Sequence, residues 1–284
     1  MPDWFRPRAG QTVLRLGGGW PIARFGALAA AHPYGRGLID QLTADADRWT
    51  AVTSPSPDAT PVLRRELLFD GPVLEFGRPS ADVLERGDRE AARVALAERL
   101  GLAPDTRFVL YAPTRRLMDL RKRGWSDPGR LLDLRQVADA LPPGHRLLVR
   151  RHPALHDDVT GLADGVVDVS AVPRASDLLL AAEVLISDYS SLLADYSATG
   201  RPVLLYVPDL ADFRSSPGLN LDVEAEAPGP LLRTSAEVAD ALRSLETVTA
   251  DYPAATKSFA AAHGPRAAGE ASAKLVDWLL AVER

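Results

Sequence analysis

The feature of this sequence that most constrains its fold is a regular alternation of apolar strand-like runs with helical patterns. Apolar runs at 107–113, 184–189 and 202–208 are separated by helical patterns such as 175–182 and 190–199. Strands that alternate with helices form a parallel, doubly wound sheet. Ligands of such sheets bind beyond the carboxyl ends of the strands. The sequence therefore predicts an α/β fold with its binding site at those ends.

The N-terminal part of the chain shows the same pattern only in pieces. A strand is expected at 11–16, and another strand followed by a loop at 71–84. The first convincing amphipathic helix is predicted for 88–102. We therefore expect two regions, with an incomplete α/β layer in 1–86 and the regular one in 87–284.

Composition and charge exclude several classes of protein. The 284 residues carry a formal net charge of -5, whereas a broad nucleic-acid surface needs a basic face, so no nucleic-acid partner is expected. Cysteine is absent, which excludes a thiolate nucleophile and Cys-ligated zinc. The sequence has no signal-peptide pattern and no apolar run of the roughly 18 residues that a membrane span needs. We expect a cytoplasmic protein that contacts a membrane, if at all, from the cytosolic side.

The strongest local signal for function follows the apolar strand that ends near Ile186. Ser187, Asp188, Ser190 and Ser191 form a polar turn before the next helix. The unpaired backbone N–H groups of a helix N-terminus, joined by two hydroxyl groups, bind phosphate or diphosphate. The alternative is that Asp188 or Ser190 only caps the helix.

Basic residues follow two other predicted strands. Thr114 and Arg116 come after one of them, and the guanidinium fork of arginine fits phosphate oxygens. Arg151 and His152 come after the other, where His152 is a candidate general acid or phosphate ligand. A lone histidine is more often structural. The basic run at 121–123 is either a solvated face or a contact for phosphate or a lipid headgroup.

An acidic loop precedes the last helices. Its residues Asp222, Glu224 and Glu226 either bind ribose hydroxyls or are simply solvated. The remaining histidines, among them His145 and His263, have no carboxylate or second histidine at a metal-ligand spacing. We expect neither a metal nor a cofactor.

Several of these blocks together resemble the CDP-glycerol glycerophosphotransferase family, which comprises teichoic-acid primases and polymerases of bacterial walls and related capsule polymerases. The resemblance spans roughly residues 107–245. It rests on the order and spacing of YAPTRR, RHP, DVS, ISDYSSLLADYSATGRPVLLYVPDLADF and EAPGPLLRTSAEVADAL. It implies two Rossmann-like domains of the GT-B glycosyltransferase type. The acceptor-side domain would be 1–86, incomplete here, and the nucleotide-donor domain with C-terminal helices would be 87–284.

The resemblance also implies a reaction. Glycerol phosphate passes from CDP-glycerol, or a related CDP-polyol, to a lipid-linked polyol-phosphate acceptor, and CMP is released. The protein would act peripherally on the inner face of the plasma membrane. His152 and Arg116 are implied as catalytic groups that neutralise the diphosphate. The implied substrate-binding residues are Thr114, Arg151, Ser187, Asp188, Ser190, Ser191, Asp195 and Asp222.

The three consecutive glycines at 17–19 are explained by the same resemblance. Family members carry Trp-His-Gly-Thr-Pro-Leu-Lys at the end of an N-terminal strand, and this chain aligns with that motif through Gly19 and Pro21. Gly18 therefore stands where the histidine implied as general base is expected. Without a Lys-Ser/Thr partner, the glycine run is not a phosphate loop of its own. Two functions remain open: a glycerophosphotransferase, and a non-catalytic CDP-polyol-binding or nucleotide-binding protein that lacks the base.

Overall fold

The protein is described here by a computed structural model that covers residues 4–29, 36–116, 127–153, 159–266 and 268–282. The strands are β1 (Leu14–Arg15), β2 (Ala51–Thr53), β3 (Val73–Leu74), β4 (Arg107–Tyr111), β5 (His145–Val149), β6 (Val166–Asp168), β7 (Val184–Ser187), β8 (Val203–Tyr206) and β9 (Leu231–Leu232). The helices are α1 (Arg36–Ala46), α2 (Thr60–Leu67), α3 (Asp82–Arg86), α4 (Arg89–Arg99), α5 (Pro128–Leu131), α6 (Leu134–Asp139), α7 (Ala175–Ala181), α8 (Leu192–Ser197), α9 (Leu210–Ser215), α10 (Val223–Glu226), α11 (Ser235–Arg243), α12 (Leu245–Asp251), α13 (Pro253–His263) and α14 (Ala271–Val282).

The strands form two parallel sheets. The smaller sheet has the order β1-β2-β3, and the larger one has the order β6-β5-β4-β7-β8-β9. In the larger sheet, Leu110 of β4 lies opposite Leu148 on one side and Leu185 on the other. The predicted α/β fold with parallel strands is therefore confirmed.

Both faces of the larger sheet are covered by apolar side chains. Phe108 and Leu110 of β4 point to one core, while Val109 and Tyr111 point to the other. Successive side chains of a strand face opposite ways, so a strand buried on both faces is apolar throughout. This explains why the strands read as continuous apolar runs in the sequence.

Local sequence signals set the helix boundaries. Helix α4 begins after Asp88, whose carboxylate accepts a hydrogen bond of 3.0 Å from the Ala91 N–H group. Helix α11 begins with a capping box formed by Thr234 and Glu237. Each cap satisfies N–H groups that have no partner inside the helix.

The last helix packs against the first sheet. Leu275 of α14 joins Ala51 of β2 and Leu74 of β3 in one apolar cluster. The carboxylate of Asp82 accepts hydrogen bonds from the N–H groups of Ala271 (3.0 Å) and Ser272 (2.9 Å) at the start of α14. The C-terminal end of the described chain is thus fixed to its N-terminal part.

A second contact joins the N-terminal loop after the glycine run to the segment between α9 and α10. Ala23 forms an antiparallel bridge with Leu219, and the Asn220 N–H group donates to the Ile22 carbonyl at 2.8 Å. One apolar core also includes residues from both sheets, for example Val52 and Leu185. Of the helices in the described ranges, none combines the length and apolar character needed to cross a membrane.

We expect Asp82→Ala to lower the free energy of unfolding by about 1 kcal/mol, because two N–H groups of α14 lose their acceptor. Urea unfolding followed by circular dichroism measures the change. Asp240→Ala is the matched control, since among the described residues the Asp240 carboxylate pairs with Arg243 alone, at an exposed position, and its loss should stay within about 0.5 kcal/mol. Equal losses in the two variants would show that Asp82 does not hold α14.

Candidate functional site

The chain reverses its direction across the larger sheet between β4 and β7. From β4 it proceeds outward through β5 to β6, and it then returns to β7 beside β4 and proceeds the other way. A crevice forms at such a switch point, beyond the carboxyl ends of the two central strands. The segments that follow β4 and β7 are 112–116 and 188–191, which contain five of the ten predicted site residues.

Asp188 holds these two segments together. Its carboxylate accepts hydrogen bonds from the N–H groups of Thr114 at 2.8 Å and Tyr189 at 2.7 Å. The other carboxylate oxygen pairs with the Arg116 guanidinium at 2.6 Å. Because Asp188 is only 2% exposed, it fixes the backbone of the site rather than facing a ligand.

Arg116 is the centre of a buried ion network. Its Nε and Nη2 atoms donate to the two carboxylate oxygens of Asp209 at 2.7 and 3.0 Å. The guanidinium lies over the rings of Tyr189 and Phe213, 5.2 and 5.4 Å from their centroids. Burial alone lowers the pKa of Arg116, but attraction by Asp188 and Asp209 outweighs it and raises the pKa above its ordinary value. Arg116 is therefore a fixed cation that ties together the ends of β4, β7 and β8.

The serines of the turn after β7 differ in their roles. The buried Ser187 hydroxyl donates to the Ala112 carbonyl at 2.8 Å and so links β7 to the end of β4. Ser190 accepts a weak hydrogen bond of 3.3 Å from the Leu192 N–H group. Ser191 precedes α8 and makes no side-chain cap hydrogen bond. Both Ser190 and Ser191 are half-buried.

The end of β5 carries a buried arginine whose guanidinium donates to a carbonyl group. Arg150 is buried and donates to the Val172 carbonyl at 2.6 Å, and among the described residues no carboxylate forms an ion pair with it. Burial lowers the pKa of Arg150. Arg151 is half-buried, and its N–H group donates to the Ser170 hydroxyl at 3.0 Å. A buried cation without a carboxylate favours an anion nearby.

His152 lies within this positive region. It is half-buried. Burial lowers the pKa of His152, and the positive charges of Arg115 and Arg150 lower it further. The imidazole is therefore neutral near pH 7, and a neutral imidazole carries one ring N–H group. In addition, the buried Thr114 hydroxyl has no hydrogen-bond partner in the described part of the chain. Thr114, Arg150, Arg151 and His152 together form an edge that can receive an anion, which we call the anion-receptive edge.

Two predicted substrate residues have partners within the protein. Asp195 is buried in α8 and forms an ion pair with Arg78, which follows the first sheet. Burial raises the pKa of Asp195, and Arg78 opposes the shift. Asp222 caps α10 by accepting a hydrogen bond of 3.1 Å from the Glu224 N–H group. The predicted basic run 121–123 lies outside the described residues.

The glycine run approaches the start of α8. A Cβ atom on Gly19 would lie 2.9 Å from the Ser191 carbonyl oxygen, and one on Gly17 would lie 2.3 Å from the Thr53 carbonyl oxygen. Both positions therefore require glycine. Gly18 is exposed, and a Cβ atom there would meet nothing within 4 Å. The backbone thus leaves room for a side chain at position 18 alone of the three.

Sequence reasoning missed three partners in this region. Asp209 follows β8, so the rule that ligands lie at strand ends would have included it. Arg78 lies in a predicted loop, and nothing in the sequence indicates its pairing with Asp195. His263 pairs with Glu226 at 2.7 Å, although the two residues are 37 positions apart and share no motif.

Sequence comparisons relate the chain to one family. The family described as CDP-Glycerol:Poly(glycerophosphate) glycerophosphotransferase matches residues 1–281. A teichoic acid poly(glycerol phosphate) polymerase of Bacillus spizizenii is 31% identical over 210 residues, which are 73% of this chain and 53% of the relative. A teichoic acid glycerol-phosphate transferase of Staphylococcus aureus is 27% identical over 266 residues, 91% of this chain and 68% of the relative. The chain thus spans about half the length of the Bacillus relative.

Solved structures show a related fold. A histidine-to-asparagine variant of the wall teichoic acid polymerase TagF superposes with a TM-score of 0.84 at 24% identity, covering 100% of this chain and 71% of that one. The same variant soaked with CDPG gives a TM-score of 0.82 at 24% identity and covers 100% and 70% of the two chains. These likenesses support the α/β architecture described above.

We expect Arg116→Met to lower the free energy of unfolding by about 3–5 kcal/mol, because the buried Asp188 and the half-buried Asp209 would keep their charges without a cation. Chemical denaturation measures this. Arg115→Met is the control, because Arg115 is partly exposed and should change stability by less than about 0.5 kcal/mol. Similar stabilities for the two variants would rule out the network as an organising element.

The pKa of His152 should lie below its ordinary value of about 6.5, and Arg115→Ala should raise it, because one repelling positive charge is removed. Histidine NMR titration measures both values, with His152→Gln for assignment. The unfolded chain binds this proton at a higher pH than the folded chain does. The free energy of unfolding should therefore decrease as the pH falls below about 6.5, the ordinary pKa of histidine. A pKa above 6.5 in the unliganded protein would contradict the described environment.

Proposed function

Because the chain belongs to the CDP-glycerol:poly(glycerophosphate) glycerophosphotransferase family, we propose that it transfers glycerol phosphate from CDP-glycerol, or a related CDP-polyol, to a lipid-linked polyol-phosphate acceptor and releases CMP. The observation that carries this proposal is the anion-receptive edge at the switch point of the larger sheet. There the buried Arg150, which forms no ion pair with a carboxylate of the described residues, accompanies the neutral His152. A nucleoside diphosphate is the anion that such an edge binds in doubly wound sheets.

The donor diphosphate binds between the ends of β4, β5 and β7. Thr114, Ser190 and Ser191 offer hydroxyl groups, Arg151 offers a cation, and His152 donates a ring N–H group. Arg116, Asp188 and Ser187 act as positioning residues, because their hydrogen bonds are made to the protein. The sequence also predicted Asp195 and Asp222 as substrate contacts, and these roles stay predictions. In the structure the Asp195 carboxylate pairs with Arg78, and the Asp222 carboxylate accepts a hydrogen bond from the Glu224 N–H group.

The chemistry is an in-line displacement at phosphorus. The acceptor hydroxyl oxygen bonds to the phosphorus that carries glycerol, and the bond from that phosphorus to the CMP oxygen breaks. Negative charge grows on the leaving phosphate, where the positive edge stabilises it. The hydroxyl proton passes to a base or to solvent. At Gly18, the position where the family carries a histidine, no side chain is available to receive it.

The open position at Gly18 favours a second function, namely binding of a CDP-polyol without turnover. Such a protein keeps the anion-receptive edge and lacks the group that activates the acceptor. The two functions differ in one observable property, which is the release of CMP.

The same membership leads us to propose two further features. The chain is organised as two Rossmann-like domains of the GT-B type, with a boundary near 86 and 87, and the two separate parallel sheets support this division. The protein works peripherally at the inner face of the plasma membrane, because a lipid-linked acceptor would be presented there.

The test is CMP release from CDP-glycerol with a lipid-linked glycerol-phosphate acceptor. We expect Gly18→His to release CMP about 100-fold faster than the unchanged chain, the gain that a positioned base supplies, because a Cβ atom at position 18 meets nothing within 4 Å. Gly18→Gln is the size-matched control without a titratable group and should give no gain. His152→Ala combined with Ser190→Ala should abolish release.

The outcomes separate the two functions. Release by the unchanged chain that the double variant lacks supports the transferase. Nucleotide binding without release, in the unchanged chain and in Gly18→His, would overturn the transferase and support the binding protein.

A further inference from the structure

A cavity of about 520 Å³ lies where the N-terminal loop meets the segment between α9 and α10. Its polar lining consists of Arg24, Arg214, Asn220, Asp222, Glu224 and Glu226. The backbone on both sides is fixed, because the Arg24 N–H group donates to the Gly218 carbonyl at 3.0 Å and the Asn220 side chain donates to the Pro21 carbonyl at 3.1 Å. The cavity therefore has walls from both parts of the chain.

The lining combines two kinds of polar group. Arg24 is exposed and forms an ion pair with no carboxylate in the described part of the chain, whereas Arg214 is paired with Glu224 at 2.9 Å. Asp222 and Glu226 add carboxylate oxygens. Carboxylates accept hydrogen bonds from hydroxyl groups, and an arginine fork binds phosphate. The residues that line the cavity include no aromatic ring, so no stacking surface for a nucleobase is present among them.

Glu226 is held in a fixed orientation. One carboxylate oxygen accepts from the Asp222 N–H group at 3.1 Å, and the other lies 2.7 Å from Nε2 of His263. His263 is buried, and its ring lies 4.4 Å from the Trp20 ring between centroids. Nδ1 of His263 and Nε1 of Trp20 are buried without a hydrogen-bond partner among the described residues. Packing thus immobilises the histidine, and the histidine immobilises the carboxylate at the cavity.

The cavity is within reach of the anion-receptive edge. A Cβ atom on Gly19 would lie 2.9 Å from the Ser191 carbonyl oxygen just before α8, and Arg24 lies five residues further along the same loop. Five residues span at most about 18 Å when fully extended. A polyol phosphate that extends from the anion-receptive edge can therefore approach Arg24.

We propose that this cavity binds a polyol phosphate, with Arg24 on the phosphate and the carboxylates of Asp222 and Glu226 on the hydroxyl groups. His263 acts as a positioning residue for Glu226. The inference rests on the proposed function in one respect, since that reaction offers two sources of this chemistry: the glycerol phosphate of the donor and the terminal unit of the acceptor.

Isothermal titration of the whole chain with sn-glycerol 3-phosphate tests the cavity directly. The unchanged chain should bind it, and Arg24→Ala and Glu226→Gln should each weaken binding at least 10-fold. CMP affinity should stay the same in both variants, because CMP carries no polyol phosphate. Arg135→Ala is the control, since Arg135 is an exposed arginine that lines a separate cavity beside α6, and it should leave both affinities unchanged.

Three results would overturn the proposal: no binding of glycerol 3-phosphate by the unchanged chain, equal affinities in Arg24→Ala and Arg135→Ala, or a parallel loss of CMP binding. His263→Gln should weaken glycerol 3-phosphate binding and leave the melting temperature within a few degrees. If His263→Gln instead unfolds the chain, Glu226→Gln tests the pair that His263 forms with Glu226.

Titration with CDP-glycerol distinguishes the two sources. Weaker CDP-glycerol binding by Arg24→Ala, with CMP binding unchanged, assigns the cavity to the donor polyol. Unchanged CDP-glycerol binding, with weaker glycerol 3-phosphate binding, assigns it to the acceptor. The proposed function can fail separately: glycerol 3-phosphate binding that depends on Arg24, without any CMP release, would retain the cavity assignment and reject the transferase.

Discussion

The candidate site depends on the hydrogen bonds and the ion pair formed by the buried carboxylate of Asp188. It joins the backbone after β4 to the backbone after β7, and through Arg116 it also reaches Asp209 after β8. Buried ion pairs add little net stability compared with apolar packing, whereas removing one partner costs several kcal/mol. Such a network therefore specifies one geometry: it keeps three strand ends at fixed separations and lets the hydroxyl and basic groups converge on the crevice.

Two arginines near the same sheet edge have opposite environments. Arg116 is surrounded by two carboxylates and two aromatic rings, so its charge is satisfied within the protein. Arg150 is buried against carbonyl groups, and burial lowers its pKa. Carbonyl dipoles compensate a guanidinium less than a carboxylate does, so the potential of Arg150 extends toward His152. Arg116 therefore organises the site, whereas Arg150 favours an anionic ligand nearby.

The sequence predicted which strand ends come together, but it did not predict the side-chain pairings there. Strand and helix alternation predicted the carboxyl edge of the larger sheet, and Thr114 and Asp188 do meet there. Asp209 lies 93 positions from Arg116, and Arg78 lies 117 positions from Asp195. Contacts at such separations depend on how the sheets pack, which no local pattern encodes. The different space around Gly17 and Gly18 also depends on tertiary packing. The boundary near 86 and 87 stays a prediction.

Helix α14 makes the two parts of the chain mutually dependent. Its apolar residues Leu275, Trp278 and Leu279 pack against the sheet built from the earliest strands, and Asp82 anchors its first turn. A fragment cut at the boundary near 86 would carry this helix without the surface that covers it, and uncovered apolar strips of this kind promote self-association. A fragment intended to fold alone must therefore combine residues from both ends of the chain, because α14 comes last in the sequence but packs against the first sheet.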